Sequence, residues 1–319
     1  VGSPTKIQAY LEPLLAFAKE KIGPRFLQVP LYLYATGGVR SLPLKYQSNL
    51  LADIETVLKT WKLKNIQAKV LSGKEEALFG WLTVNYLLGN LEKNQQTVGV
   101  IDIGGATIQF AYEIPDSVKD VKEVMSFVGN KKTHRVYAYS YTDFGQNTLL
   151  HGNRDIEEAC IEENYTPKTL PQRFKNCSKV IQSHFKERCE NLSFCGLSDV
   201  YQPPIYGKVI GIGGIVYLAK ELSLHKFNYK IIKDKAAEVC GLTKVLFLEK
   251  YRNSYVDHIE ALCFRLSYHK MMLYGDPRTH SLHNGLGFAK NDEIEIPYEI
   301  KGHKSYSWIV GAIFYNLTT

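Results

Sequence analysis

The sequence predicts a mixed α/β fold, because short apolar strands alternate with helices and two of the strands run into Gly-Gly turns. Leu27 to Ala35 is an apolar and aromatic run typical of a buried strand, a helix is predicted from about Pro43 to Lys62, and a strand from Ile66 to Leu71. The strands that end in Gly-Gly turns lie at residues 98–105 and 207–214. This alternation of strands and helices is typical of an α/β layer. A chain of 319 residues is long enough for two lobes.

The first helix is predicted over residues 6–23, where apolar side chains recur at helical spacing until Gly23-Pro24 ends the pattern. The strand that follows leads into Thr36-Gly-Gly-Val-Arg40. A hydroxyl, two glycines and an arginine after a strand suit a loop that faces a ligand. An ordinary strand-to-helix turn has the same composition, so the residues alone leave both interpretations open.

The segment from Val98 to Tyr112 is predicted to be a strand, a glycine turn and a second strand, with Asp102 at the end of the first strand. Gly104 and Gly105 would let backbone N–H groups approach an anion, and an acid beside them suits the divalent metal that accompanies phosphate. Thr107 and Gln109 alternate along the second strand, so their side chains share one face. The alternative is that this segment is a β-hairpin with no catalytic or binding role.

A helix over residues 73–89 carries Glu75 and Glu76 near its start. Acids there complement the helix dipole, and one of them could equally act as a general base. Further along, we predict a hairpin closed near Gly129-Asn130, helices at about 234–239, 243–252 and 256–273, and a short strand from Ile294 to Pro297. The closing segment from Lys304 is predicted to be an amphipathic helix with one apolar side formed by Trp308, Ile309, Ala312, Ile313 and Leu317.

Composition is that of a globular protein, with 45% hydrophobic and 22% charged residues. The net charge of +7 lacks a basic block, which argues against nucleic acid as a partner, and no apolar run is long enough to span a membrane. The six cysteines form no C-x-x-C pair, so their spacing does not indicate a zinc site, and disulfides in an oxidising compartment are favoured over buried free thiols. Four Asn-x-Ser/Thr sequons, at Asn164, Asn176, Asn191 and Asn316, agree with export.

Five segments in order resemble the motifs of the apyrases, or nucleoside triphosphate diphosphohydrolases, of the actin-like superfamily. They are YATGGVRSL, SGKEEALFGWLTVNYLLG, DIGGATIQF, CENLSFCGLSDVYQPPIYGKVIGIGGIVY and SYSWIVGAIFYNLTT. The resemblance implies two actin-like α/β lobes with a nucleotide cleft between them. We expect lobe one to comprise residues 1–72 plus 294–319, and lobe two residues 73–293.

The resemblance also implies roles for individual residues. Glu76 matches the general base, Asp102 the metal-holding acid, and Thr107 and Gln109 the pair that orients the attacking water. Phosphate contacts fall to Thr36, Gly104, Gly105 and Ala106, and Tyr217 matches the aromatic residue that stacks on the base. The implied disulfides are Cys189–Cys195, Cys240–Cys263 and Cys160–Cys177.

The family's first phosphate loop, a strand followed by a DxGS-type turn, has no counterpart here, and the sequence begins at the helix that should follow it. Since Glu76, Asp102, Thr107 and Gln109 are retained, we expect that this segment lies upstream or in a separate chain; the alternative is that the protein has lost half of its phosphate cradle.

The expected function is hydrolysis of nucleoside tri- and diphosphates by a base-activated water with Ca²⁺ or Mg²⁺, in a secreted, extracellular, lumenal or periplasmic protein. An exopolyphosphatase-like hydrolase and a non-catalytic nucleotide-binding protein are the alternatives. Exopolyphosphatase-like hydrolases usually have a third glycine and a glutamate where this chain has Ala106 and Gln109.

Overall fold

The structure is a computed structural model that describes residues 3–63, 65–92, 95–161, 166, 168–185, 195–197, 200–251, 261–275, 285–304 and 306–318. The chain divides into two compact units, Val1–Gly73 and Lys74–Thr319. Each unit has its own α/β architecture, as the sequence predicts.

The first unit is a two-stranded parallel sheet with helices. It contains α1 (Pro4–Ile22), a 3₁₀ turn (Gly23–Gln28), β1 (Leu31–Ala35), α2 (Gly37–Arg40), α3 (Leu44–Thr60) and β2 (Ile66–Val70). Its core packs Leu11 and Leu15 of α1 with Phe26 and Leu58. The expected strand from Leu27 begins only at Leu31, because the chain after Gly23 (φ 67°) continues as the 3₁₀ turn.

The second unit is built on a seven-stranded mixed sheet with the order β5-β6-β4-β3-β7-β9-β8. Its strands are β3 (Gly99–Ile103), β4 (Ile108–Glu113), β5 (Val124–Gly129), β6 (Lys132–Tyr141), β7 (Val209–Gly213), β8 (Lys226–Phe227) and β9 (Ile294–Glu295). The β3–β4 pair is antiparallel, whereas β3 and β7 are parallel. Both Gly-Gly turns therefore lie at the same edge of the sheet, because parallel strands end on the same side.

Helices surround this sheet. They are α4 (Gly73–Leu88), α5 (Gln146–His151), α6 (Arg154–Cys160), α7 (Arg173–Ser183), α8 (Gly214–Glu221), α9 (Tyr229–Val239), α10 (Lys244–Lys250), α11 (Leu262–Tyr274) and α12 (Trp308–Thr318). The hairpin expected near Gly129-Asn130 is present, and its turn residues Asn130 and Lys131 have positive φ. The helix expected at 234–239 begins earlier, at Tyr229, where the Asn228 side chain accepts a hydrogen bond from the Ile231 N–H.

The C-terminal segment differs from the expectation in two respects. Residues 294–319, expected with lobe one, lie in the second unit, where β9 joins the sheet and α12 packs on α4. The Thr83 hydroxyl ties the two helices, since it donates to the Ser307 carbonyl (2.8 Å) and accepts from the Gly311 N–H (2.7 Å).

The second difference concerns the buried face of α12. Gly311 and Ala312 are the buried residues of this helix, and Trp308 is only half-buried. Ile309, Ile313 and Leu317, expected on the buried side, are exposed. Gly311 decides the orientation, because its close approach to the Phe79 carbonyl leaves no room for a side chain.

Two disulfides join helices of the second unit. Cys160–Cys177 links α6 to α7, and Cys240–Cys263 links the end of α9 to α11, as expected. Cys195 is also disulfide-bonded, but Cys189 lies outside the described residues, so that pairing stays a prediction. Within the described part of the chain, no helix has the length and apolar character needed to cross a membrane.

Candidate active site

Asp102 lies at the carboxyl end of β3, in a row of paired residues that crosses the sheet. In the register, Asp102 pairs with Gln109 of β4, and Gln109 pairs with Ser140 of β6. Directly opposed residues of neighbouring strands point to the same face of a sheet. The expected Asp102, Thr107 and Gln109 are thus joined on this face by Ser140, which the sequence analysis missed.

The side chain of Gln109 is held by two hydrogen bonds. Its amide nitrogen donates to the Thr107 hydroxyl (2.5 Å) and to the Ser140 hydroxyl (2.8 Å), and all three residues are buried. Both N–H bonds of the amide are therefore used within the protein. The carbonyl oxygen Oε1 is left as the group that can accept a hydrogen bond from a ligand or water.

Glu76 reaches this site because α4 is anchored at the opposite end of β3. The Asn85 amide donates to the Val98 carbonyl (3.0 Å), and its oxygen accepts from the Val98 N–H (2.9 Å). From Asn85 back to Glu76 the helix rises about 13 Å, at ~1.5 Å per residue. From Val98 to Asp102 the strand also advances about 13 Å, at ~3.3 Å per residue. Glu76 and Asp102 therefore lie at the same level along the direction of β3, at the same distance from the Asn85–Val98 contact.

The two carboxyl groups interact electrostatically. Burial, and then the charge of Glu76, raise the pKa of Asp102 from 3.8 to about 7. Glu76 is only 6% exposed, whereas Asp102 keeps partial exposure to the cavity that it lines. A pair of acids that interact in this way attracts a cation or a proton.

Two glycine turns form the floor of that cavity. The Gly104 N–H donates to the Thr107 carbonyl (2.9 Å) and closes the β3–β4 turn, so this amide is not available to a ligand in this conformation. Among the described residues, the N–H groups of Gly105 and Ala106 have no hydrogen-bond partner. These two amides could donate to an anion, and their expected role as phosphate contacts stays a prediction.

The second turn approaches Asp102 directly. Gly213 has φ 72°, and a Cβ there would lie 2.1 Å from the Asp102 carboxylate oxygen Oδ1. A Cβ on Gly214 would lie 2.7 Å from the backbone carbonyl oxygen of Ile103. Only glycine fits these two positions.

The cavity has a volume of about 440 Å³. Its lining comprises Asp102, Ile103, Gly104, Gly105, Gln146, Asn147, Gly213, Gly214, Tyr217 and Arg265. Tyr217, expected to stack on a base, is 64% exposed at the start of α8. Arg265, which the sequence analysis missed, lies 3.4 Å from the Glu221 carboxylate, and burial lowers the pKa of its guanidinium.

Thr36 and Arg40 belong to the first unit. Thr36 precedes α2, and the Arg40 guanidinium donates to the Leu71 carbonyl (2.8 Å) within that unit. The expected role of Thr36 as a phosphate contact therefore stays a prediction.

The residues around Asp102 fit a hard divalent cation. Among the described residues, no group of three or more His, Cys, Asp or Glu side chains is arranged to hold a metal. Magnesium and calcium nevertheless accept a site with few protein carboxylates, because water and phosphate oxygens fill the other positions. Asp102 would supply the carboxylate, and a bound cation would offset the repulsion from Glu76.

Acids and glycine turns at the carboxyl ends of sheet strands are typical of α/β proteins that bind phosphate compounds. The chain belongs to the GDA1/CD39 (nucleoside phosphatase) family, whose profile matches residues 2–319. This match confirms the resemblance to the apyrases and nucleoside triphosphate diphosphohydrolases.

The relatives are distant and longer than this chain. Mouse ectonucleoside triphosphate diphosphohydrolase 3 is 25% identical and matches 88% of this chain and 62% of its own length. Human ectonucleoside triphosphate diphosphohydrolase 4 is 24% identical and matches 98% of this chain and 63% of its own length. Bovine ectonucleoside triphosphate diphosphohydrolase 5 is 26% identical and matches 99% of this chain and 76% of its own length. The chain thus spans roughly two thirds of the length of these relatives.

Solved structures agree on the fold. A nucleoside triphosphate hydrolase from Neospora caninum aligns with a TM-score of 0.54 at 13% identity, over 98% of this chain and 77% of that one. An exopolyphosphatase-like protein aligns with a TM-score of 0.53 at 13% identity, over 97% of this chain and 85% of that one. These alignments confirm the expected actin-like α/β fold.

Proposed function

We propose that the protein hydrolyses nucleoside tri- and diphosphates to the monophosphate and phosphate, using a divalent cation and a water molecule activated by Glu76. The observation that carries the proposal is the meeting of Glu76 and Asp102 beside two glycine turns, in a member of a nucleoside phosphatase family. The mouse and human relatives are named as triphosphate diphosphohydrolases, which supports this choice of substrate.

The chemistry requires charge neutralisation on the phosphates and a water positioned in line with the bond that breaks. A bound Ca²⁺ or Mg²⁺ at Asp102 would polarise the phosphate oxygens. The amides of Gly105 and Ala106 would donate hydrogen bonds to phosphate, and Tyr217 would stack on the base.

The attacking water is assigned to Gln109, Thr107 and Glu76. The Gln109 oxygen Oε1 accepts a hydrogen bond from the water, since both amide N–H bonds are engaged by Thr107 and Ser140. The Glu76 carboxylate takes the proton as the water attacks. No covalent intermediate is needed.

The disulfides support export to a secreted, extracellular or lumenal site, because such bonds persist in oxidising compartments. The name of the bovine relative, an ectonucleoside enzyme, agrees with this assignment.

Glu76→Gln in the full-length protein tests the proposal, with phosphate release from ATP and ADP measured in calcium and in magnesium. We expect a loss of about 100-fold or more in kcat, the contribution of a general base. Glu75→Gln is the matched control, because Glu75 shares the first turn of α4. Unchanged phosphate release in Glu76→Gln would contradict the proposal.

Two further measurements separate the alternatives. The exopolyphosphatase-like alternative predicts faster phosphate release from polyphosphate than from ATP. The non-catalytic alternative predicts that wild-type protein binds nucleotide without turnover.

A further inference from the structure

We propose that the second unit carries an anion-binding pocket, separate from the Asp102 cavity, that accepts a short chain of phosphate groups. The pocket has a volume of about 460 Å³ and lies where α7, α9 and α11 meet. None of its lining residues lines the Asp102 cavity.

Among the residues that the structure describes, four lysines and no acid line this pocket. They are Lys175 and Lys179 of α7, Lys233 of α9 and Lys270 of α11. Among the described residues, Lys175, Lys179 and Lys233 have no carboxylate partner. The acids of α9 are engaged elsewhere, since Asp234 pairs with Lys230, and Glu238 with Lys235 and Lys250.

A second observation points to a ligand. Ser178 lines the pocket and is 5% exposed, yet its hydroxyl has no hydrogen-bond partner among the described residues. Lys270 is also buried, at 7% exposed, with its ammonium 5.5 Å from the centre of the Phe174 ring. A buried hydroxyl without a partner is costly, and an anion can accept its hydrogen bond.

The helices that carry these groups are held in place before any ligand binds. Lys175, Ser178, Lys179 and Gln182 lie on one stripe of α7, at the spacing of neighbours on a helix face. Cys160–Cys177 fastens α7, and Cys240–Cys263 fastens the end of α9 to α11. Binding therefore costs little ordering of the backbone.

The charge and size of the pocket select the ligand class. Lysine acts as a compact point charge towards phosphate, and a terminal phosphate carries about −1.5 to −2 charges at neutral pH. The three lysines without a carboxylate partner are therefore matched better by two or three linked phosphates than by one. Such a chain is either free, as in pyrophosphate and triphosphate, or the tail of a nucleotide.

Lysine protection against acetylation tests the pocket in the wild-type full-length protein. The protein is pulsed with an acetylating reagent in EDTA, with and without tripolyphosphate, and each lysine is quantified by mass spectrometry. We expect tripolyphosphate at about 1 mM to protect Lys175, Lys179 and Lys233. Lys226 and Lys230 serve as controls, because they pair with Glu293 and Asp234. None of the described residues that line the Asp102 cavity is a lysine, so this readout reports on the pocket.

Equal modification at Lys175, Lys179 and Lys233 with and without tripolyphosphate, at constant ionic strength, would overturn the proposal. A non-hydrolysable ATP analogue in a parallel experiment identifies the source. Protection by the analogue indicates a nucleotide tail, and protection by tripolyphosphate alone indicates a free phosphate chain.

Calorimetry with variants gives an independent test. We expect Lys175→Gln/Lys179→Gln to weaken tripolyphosphate binding about tenfold, since two charge-assisted hydrogen bonds are lost. The matched control, Lys226→Gln/Lys230→Gln, removes the same charge from the unit and should leave the affinity within about twofold. An equal loss in both variants would indicate only nonspecific attraction to a basic surface, and would contradict the pocket.

Discussion

The side-chain amide of Asn85 both donates to and accepts from the backbone of Val98, so helix α4 is fixed to the start of strand β3. Asn85 is fully buried, and it also accepts a hydrogen bond from Asn90. Since Glu76 and Asp102 lie at the other ends of the same two elements, this contact determines how the two acids meet.

Asn85→Ala should therefore reduce both stability and activity. The Val98 N–H and carbonyl would lose their partner, which costs about 2 kcal/mol in the free energy of unfolding. A small shift of α4 would misplace Glu76, and kcat should fall roughly 10- to 100-fold. Urea denaturation and steady-state phosphate release measure the two effects.

Thr83→Val is the matched control for Asn85→Ala. Thr83 is equally buried on α4, but its hydroxyl binds Ser307 and Gly311 rather than β3. We expect a similar loss of stability with kcat nearly unchanged. An equal fall in kcat for both variants would show that activity follows stability alone.

Ser140→Ala should release the amide of Gln109. With one acceptor gone, the amide can turn away from the orientation that directs Oε1 to the water. We expect kcat to fall about fivefold with KM unchanged, because the loss of one hydrogen bond costs about 1 kcal/mol. Ser140→Thr keeps the hydroxyl and should restore the rate, whereas Ser126→Ala, an exposed position on the edge strand β5, should have no effect. A rise in KM without a change in kcat would refute this role.

Gly213→Ala should displace the carboxylate of Asp102. The new methyl would lie 2.1 Å from Oδ1, and the positive φ disfavours any other residue. We expect a loss of about 100-fold in kcat and weaker magnesium binding by calorimetry. Gly241→Ala is the control, since a methyl there would be 3.9 Å from its nearest neighbour. Wild-type metal affinity in Gly213→Ala would contradict the close approach.

Metal binding should depend on pH near neutrality. The pKa of Asp102 is raised to about 7, and a metal must replace the proton that this carboxyl holds below that pH. Magnesium affinity should then be full above about pH 8 and fall by up to about tenfold per unit below pH 7. Calorimetry in buffers of different ionisation enthalpy should detect proton release at pH 6.5 and little at pH 8.5. Equal affinity at pH 6 and pH 8 would exclude this linkage.

The sequence located the two glycine turns and the acid beside them, and missed much of what surrounds them. Asp102, Thr107 and Gln109 lie within one hairpin, so alternation and glycine content suffice to place them together. Ser140 and Arg265 come from distant segments, and no local pattern indicates which residues of another strand or helix will face a given site. The buried side of α12 was also missed, because hydropathy cannot reveal that Gly311 packs on a backbone carbonyl.

The exposure of Tyr217 has a consequence for how this protein can change over generations. Its ring stands at the rim of the cavity, on the outer side of α8, and is not part of the hydrophobic core. Replacing it would leave core packing intact, whereas Gly213 and Gln109, beside Asp102, are constrained by close neighbours. On the proposed role of Tyr217, selectivity for the base can therefore change at little cost in folding, while the residues proposed for hydrolysis are held in place.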